Sequence, residues 1–142
     1  MTAELRKVHQ FDVFSTGAPL QAGMDAFLRS TEGRDHMHDL AAFYAAKRDR
    51  FLNGLEGSKW TLTPAEGGYF QLLNYDRFDD RNDREVTRDW CQQEDGIALI
   101  PLSPFFPMGA HPSSSSSVRV CFAKGNDTLD QGVERLLRIS NG

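Results

Sequence analysis

The hydrophobic period of this chain changes after Gly57, from helical to strand-like, and that change limits what the chain can fold into. Before it, apolar residues recur at helical spacing. Residues 3–11 look like the end of a helix. Pro19 can open a second helix, with Leu20, Met24, Phe27 and Leu28 on one side. Leu40, Phe43, Tyr44, Phe51 and Leu55 repeat at the same spacing. They predict a longer helix from about Asp35 to Leu55, with Gly54 and Gly57 at its end. Beyond Gly57, Trp60, Leu62 and Pro64 alternate, and Tyr69–Tyr75 is rich in aromatic and aliphatic residues. With the turn signal Gly67-Gly68 between them, these segments read as two strands.

Asp79–Arg84 reads as a charged loop and Glu85–Glu94 as a short helix carrying Val86 and Trp90. Ile97–Pro101 and Val118–Ala123 read as further short strands. Leu129, Val133, Leu136 and Leu137 define a closing amphipathic helix whose start Asn126 or Asp127 can cap. The expected class is therefore α/β, in its α+β form: a small sheet of three or four strands covered by helices. The N-terminal helical stretch carries apolar residues on several sides, as a piece that leans on another domain or subunit would. The serine run Ser113–Ser117 reads as a surface loop.

A length of 142 residues suits one ordinary domain, and 39% hydrophobic with 25% charged residues marks a globular class. The net charge of −4 argues against a nucleic-acid partner. No apolar run reaches the roughly 20 residues of a membrane span, and Met1 to Gln10 is too polar for a signal peptide. Cys91 and Cys121 are too few for a disulfide framework, so a reducing cytosol and two small buried hydrophobes are expected.

Arg119 is the foremost candidate for chemistry. Alternation puts Arg119, Cys121 and Ala123 on one strand face and Val118, Val120 and Phe122 on the other. A guanidinium among apolar neighbours needs an anion, and its planar fork matches a carboxylate. An ordinary ion pair with one of the 20 acidic residues is the competing reading. Gly67-Gly68 serves either a hairpin turn or a close ligand approach. In IPLSPFF (Ile100–Phe106), two prolines frame Ser103 at a strand end and make a rigid loop of the kind that lines pockets. His36 and His38 lack a supporting ligand cluster, so no metal site is expected. Asp76–Asp83 lacks the turn glycine and terminal glutamate of an EF-hand and reads as a solvated loop. Ser103 has no nucleophile's partners, and no hydrolase triad is evident.

Four segments, in order, carry a resemblance: ELRKVHQF followed by APLQ, PAEGGYFQLLNY, GIALIPLSPFF, and VRVCFAKGNDTLDQGVERL. With FYAAKRDRF, they resemble the C-terminal part of class I/II aminotransferases of fold type I, which depend on pyridoxal 5'-phosphate (PLP). The branch they most resemble holds the methionine, kynurenine and glutamine transaminases. The resemblance implies a PLP enzyme that moves an amino group between an amino acid and a 2-oxo acid, and that forms a homodimer. It implies that Arg119 grips the substrate α-carboxylate. It also implies pocket or dimer contacts at Phe14, Ser15, Thr16, Gly68, Tyr69, Ser103 and Phe105. Residues 1–33 would join the cofactor domain, and residues 34–142 would form the small C-terminal domain.

One departure is large. The family's PLP lysine lies in a serine-rich motif upstream of ELRKVHQF, and none of Lys7, Lys47, Lys59 and Lys124 sits in such a motif. The chain by itself is therefore expected to lack a Schiff-base lysine, to bind no PLP specifically and to be inactive. All four lysines read as solvent-facing. The alternative expectation is a non-enzymatic module of the same fold that binds a small carboxylate or a protein partner.

Overall fold

The computed structural model describes residues 2–12, 14–107 and 116–142. The chain divides into two compact units, Met1–Ala41 and Ala42–Gly142, with the boundary inside one long helix.

The first unit is helical. Helix α1 spans Thr2–Asp12 and α2 spans Ala18–Arg29, with Pro19 in its first turn as its missing N–H predicts. Ser30 ends α2, and its hydroxyl links Phe27 O to the Gly33 amide at the start of α3, Thr31–Gly54. An added Cβ at Gly33 would lie 1.9 Å from Phe27 O, so only glycine fits this close approach. The helix-spaced apolar residues are largely exposed: Leu5, Val8 and Phe11 on α1, and Leu20, Met24, Phe27 and Leu28 on α2.

The second unit holds the sheet. Strands β1 (Phe70–Asn74), β2 (Ile100–Pro101) and β3 (Ser117–Cys121) form an antiparallel sheet in the order β1-β3-β2. In register, Leu72 faces Arg119, Phe70 faces Cys121, and Ile100 faces Arg119 from the other side. One sheet face is core. Gln71 and Leu73 of β1 and Val118 and Val120 of β3 are buried, as period-two alternation requires. Phe51 from the end of α3, Leu55 from the turn after it, Val86 and Trp90 from α4 (Asp83–Gln92), and Leu129, Val133 and Leu136 from α5 (Asn126–Asn141) complete that core. Trp60, Tyr75, Phe78 and Trp90 form an edge-to-face ring cluster, and the Trp60 indole donates to Leu136 O at 2.8 Å. Such ring pairs add about 0.5–1.5 kcal/mol each beyond the area they bury.

The expected strand at Trp60–Thr63 is reduced to one bridge, between Thr61 and Asn74. These two residues exchange both backbone bonds, so the next ladder pair would be Thr63 with Leu72. The buried Gln71 side chain prevents it. Its Nε2 donates to Thr63 O and to Leu72 O, both at 2.8 Å, and its Oε1 accepts from the Ala65 amide at 2.9 Å.

Smaller departures have equally local reasons. The strand expected over Ile97–Pro101 is confined to Ile100–Pro101, because the Ile97 amide turns back to Trp90 O. The cap of α5 is Gly125 without any side-chain bond; the Asn126 side chain lies 3.5 Å from the Lys47 amine instead. Asn82 is the working cap of α4, accepting from the Arg84 and Glu85 amides. Cys91 is exposed and Cys121 half-buried, so neither is the fully buried hydrophobe expected. Cys121 shares the non-core face with Arg119, while Cys91 lies beside buried Trp90 but faces out from α4. Of the serine run, Ser113–Ser115 lies outside the described residues, and Ser117 opens β3.

Candidate functional site

Arg119 occupies the middle of the central strand, on the face opposite the core. Its cross-strand neighbours are apolar, Leu72 and Ile100. Phe70, diagonal to it on β1, brings a ring whose centroid lies 4.0 Å from the guanidinium carbon. Phe105 brings a second ring at 4.6 Å. Among the described residues the Arg119 side chain makes no ion pair and no hydrogen bond, and its Nε is closed to solvent without an acceptor. A buried donor left unpaired costs about 1–3 kcal/mol. The ordinary ion pair considered from the sequence is thus not formed among the described residues. What remains is a cation on a sheet face, flanked by rings, with its bonding capacity unused.

Phe105 reaches Arg119 through a built loop. After β2, Ser103–Phe105 forms one turn of 3-10 helix with Pro104 in it. The Ser103 amide donates to the buried Asp83 carboxylate at 2.6 Å, and the Ser103 hydroxyl accepts from Arg84 Nε at 3.0 Å. Both groups come from the first turn of α4. Ser103 therefore ties the loop to α4 and offers no free hydroxyl on an attack path, whereas Phe105, 58% exposed, reaches the cation.

The other residues singled out from the sequence are distributed more widely. Gly68 has φ +74°, a left-handed turn that feeds the chain into β1. Tyr69 precedes β1, packs its ring 4.6 Å from that of Tyr44, and accepts at its carbonyl from the Phe122 amide. Phe14, Ser15 and Thr16 lie in the exposed connection between α1 and α2, where Thr16 O accepts from Gln21 Nε2. So Arg119 and Phe105 come together directly, and Ser103 joins them through the loop. Phe70 had no separate signal in the sequence, since its part depends on the β1–β3 register.

A cleft of about 380 Å³ opens beside Arg119 and Cys121, walled by Ile97–Ile100 and by Thr128 and Arg135 of α5, with Lys124 at its rim. Arg135 donates to Gly96 O. Elsewhere several arginines and aspartates pair with one another. Arg81 meets Asp79 and Asp89, holding the Asp79 carboxyl below its usual range. Asp130 and Asp95 are likewise lowered by their hydrogen bonds to Arg50 and Arg138. The acidic stretch Asp76–Asp83 is therefore bound up with arginine and, at Asp83, buried, rather than wholly solvated. No group of three His, Cys, Asp or Glu gathers to hold a metal among the described residues.

The lysines of this chain do not fit PLP. Lys7 is paired with Glu4 on an exposed helix. Lys47 is half-buried rather than solvent-facing, but its amine donates to Lys124 O at 2.7 Å. Lys59 and Lys124 are exposed. None is a buried amine of the kind that forms a stable Schiff base at neutral pH.

Comparison with known proteins agrees with this geometry. The family model "Aminotransferase class I and II" matches residues 1–136. The chain is 39% identical over 139 residues to methionine aminotransferase of Escherichia coli (strain K12), covering 98% of this chain and 34% of that protein. It is 27% identical over 150 residues to kynurenine–oxoglutarate transaminase of Dictyostelium discoideum, covering 95% of this chain and 34% of that one. The solved structure of YbdL from Escherichia coli, described as having a methionine aminotransferase function, superposes with a TM-score of 0.78 at 40% identity. That superposition covers 96% of this chain and 34% of YbdL. The chain thus spans about a third of the length of the relatives it matches. Fold, motif order and the matched span agree: this chain belongs to the class I and II aminotransferases, with the α/β architecture of fold type I.

Proposed function

We propose that this chain supplies the substrate-carboxylate grip of a PLP-dependent aminotransferase, which moves an amino group between an amino acid and a 2-oxo acid. The observation that carries the proposal is Arg119: a guanidinium on the central strand that is unpaired among the described residues and contacted by the rings of Phe70 and Phe105. Every amino acid and 2-oxo acid presents a carboxylate, and a guanidinium binds that group in a bidentate, charge-assisted way. The similarity to methionine and kynurenine transaminases supports the same reading.

In this reading PLP belongs to the complete enzyme, and residues outside this chain hold it, because the lysines here lack the required surroundings. PLP supplies the electron sink when bound; Arg119 orients the acid that reacts with it. Residues 1–33 join the cofactor domain, which the exposed apolar faces of α1 and α2 support. Phe14–Thr16 reaches a neighbouring subunit of a homodimer, supported by the 82% exposure of Phe14. Ser103 and Phe105 shape the surroundings of Arg119, and Gly68 and Tyr69 are pocket or dimer contacts of the complete enzyme. A reducing cytosol suits the two free thiols. A second reading, a carboxylate-binding module without catalysis, rests on the same Arg119 and on the poor fit of the lysines to PLP.

The test is Arg119→Lys in an active enzyme that carries this segment. Lysine keeps the charge and loses the fork. Hydrogen bonds to charged groups are worth about 1.5–3 kcal/mol, so kcat/KM for the amino acid should fall about tenfold or more. Unchanged kinetics would mean that another group holds the carboxylate.

A further inference from the structure

We infer that Phe70 and Phe105 are positioning residues that clamp the Arg119 guanidinium in one plane and so make the site selective for planar carboxylates over tetrahedral oxyanions. The inference rests on the proposal that Arg119 binds the substrate anion, and it adds what decides the geometry of that bond.

The ring centroids of Phe70 and Phe105 lie 4.0 and 4.6 Å from the guanidinium carbon. Among the described residues no ring contact joins these two phenylalanines, so they hold the cation from separate directions. If the two rings take the two faces of the guanidinium, as the proposal holds, it keeps hydrogen-bonding capacity only in its own plane. Its Nε is closed to solvent and unpartnered. The terminal nitrogens are therefore the edge open to a ligand. A flat carboxylate can lie in that plane and accept two parallel bonds. A tetrahedral phosphonate or sulfonate carries an oxygen out of the plane, toward a ring.

The two rings are suited to this role because neither is structural ballast. Phe70 is 36% exposed and Phe105 58% exposed, and both lie on the sheet face away from the core. Their origins differ. Phe70 is set by strand register, whereas Phe105 depends on the turn that Asp83 anchors through Ser103. The turn that Asp83 anchors is thereby coupled mechanically to the carboxylate grip.

The test uses the full chain with isotope-labelled arginine, following the guanidinium resonances of Arg119, assigned by their loss in Arg119→Lys. Pyruvate and methylphosphonate are the probes. Pyruvate should shift the Arg119 signals and bind more tightly than methylphosphonate. Cation–π contacts of this kind correspond to an affinity change of about 3- to 10-fold, so Phe105→Leu should weaken pyruvate by that factor and narrow the preference. Phe105→Tyr should restore both, and Phe70→Leu should repeat the loss. A backbone amide spectrum unchanged outside the loop would exclude general unfolding as the cause. If pyruvate shifts Arg119 equally in the wild type, Phe105→Leu and Phe70→Leu, with the preference intact, the clamp is wrong while the carboxylate grip stands. If pyruvate leaves the wild-type Arg119 signals unmoved, both fall together.

Discussion

The carboxylate of Asp83 and the backbone amide of Ser103 meet at 2.6 Å, joining the first turn of α4 to the turn that follows β2. Asp83 is 3% exposed, so this bond is made away from water. Together with the Arg84–Ser103 hydrogen bond, it ties down the turn that carries Phe105 to Arg119.

Asp83→Ala should therefore loosen the turn without dissolving the sheet. Removing a buried acceptor leaves the Ser103 amide unpaired, at a cost of about 1–3 kcal/mol. Hydrogen exchange at the Ser103 amide should accelerate, while exchange at Val118 and Val120 should fall behind it. Equal protection of Ser103 in wild type and variant would mean that Asp83 does not anchor the loop.

Gln71→Leu tests the side-chain amide that stands in for a ladder pair. Leucine fills a similar volume but leaves the Ala65 amide and the Thr63 carbonyl without partners. The expected loss is about 1–3 kcal/mol in chemical denaturation, with proteolysis appearing first around residues 61–65. A variant as stable as the wild type, with this segment still protected, would show that backbone pairing can replace Gln71.

Tyr75 makes stability depend on alkaline pH. Its phenol is pushed up to about 12, first by burial and then by the nearby carboxylates of Asp83 and Asp79. In the unfolded chain it titrates near 10. The folded state thus favours the neutral phenol. Its contribution is fully present below about pH 10 and is lost as the pH rises toward 12. Tyr75→Phe also removes the hydroxyl bond to Arg81 O, costing about 1 kcal/mol at neutral pH. The variant's stability should then decline less steeply than the wild type's between pH 10 and 12. Parallel slopes from denaturant titrations across that range would count against Tyr75 as the cause.

PLP should label this chain sparsely. The amines of Lys7 and Lys47 are already engaged, and those of Lys59 and Lys124 lie at the exposed surface. None sits in a buried pocket of the kind that holds a Schiff-base lysine. After incubation with PLP, borohydride reduction and digestion, the label should be spread over several lysines. Near-stoichiometric labelling of one lysine, with a spectral change on adding an amino acid, would overturn this expectation.

Local rules in the sequence reached far into this protein. Pro19 could only open a helix because it lacks an N–H, and Gly68 could take its left-handed turn because it lacks a Cβ. The alternation Val118, Arg119, Val120, Cys121 separated core from outer face whatever the neighbours were, since successive side chains of a strand point to opposite sides. That is why Arg119 was legible as a candidate before any coordinate. The tertiary structure decided the rest. That β3, the last strand in the chain, lies at the centre follows from long-range pairing with Leu72 and Ile100 at once, which no local period encodes. The same pairing carried Phe70 to the guanidinium. Gln71 shortened the expected strand at Trp60–Thr63 through a side-chain bond across a turn. Asp83 brought Phe105 to Arg119 through a bond between residues twenty positions apart. Periodicity records which way a side chain points; the partner it meets depends on contacts that only the folded chain brings within reach.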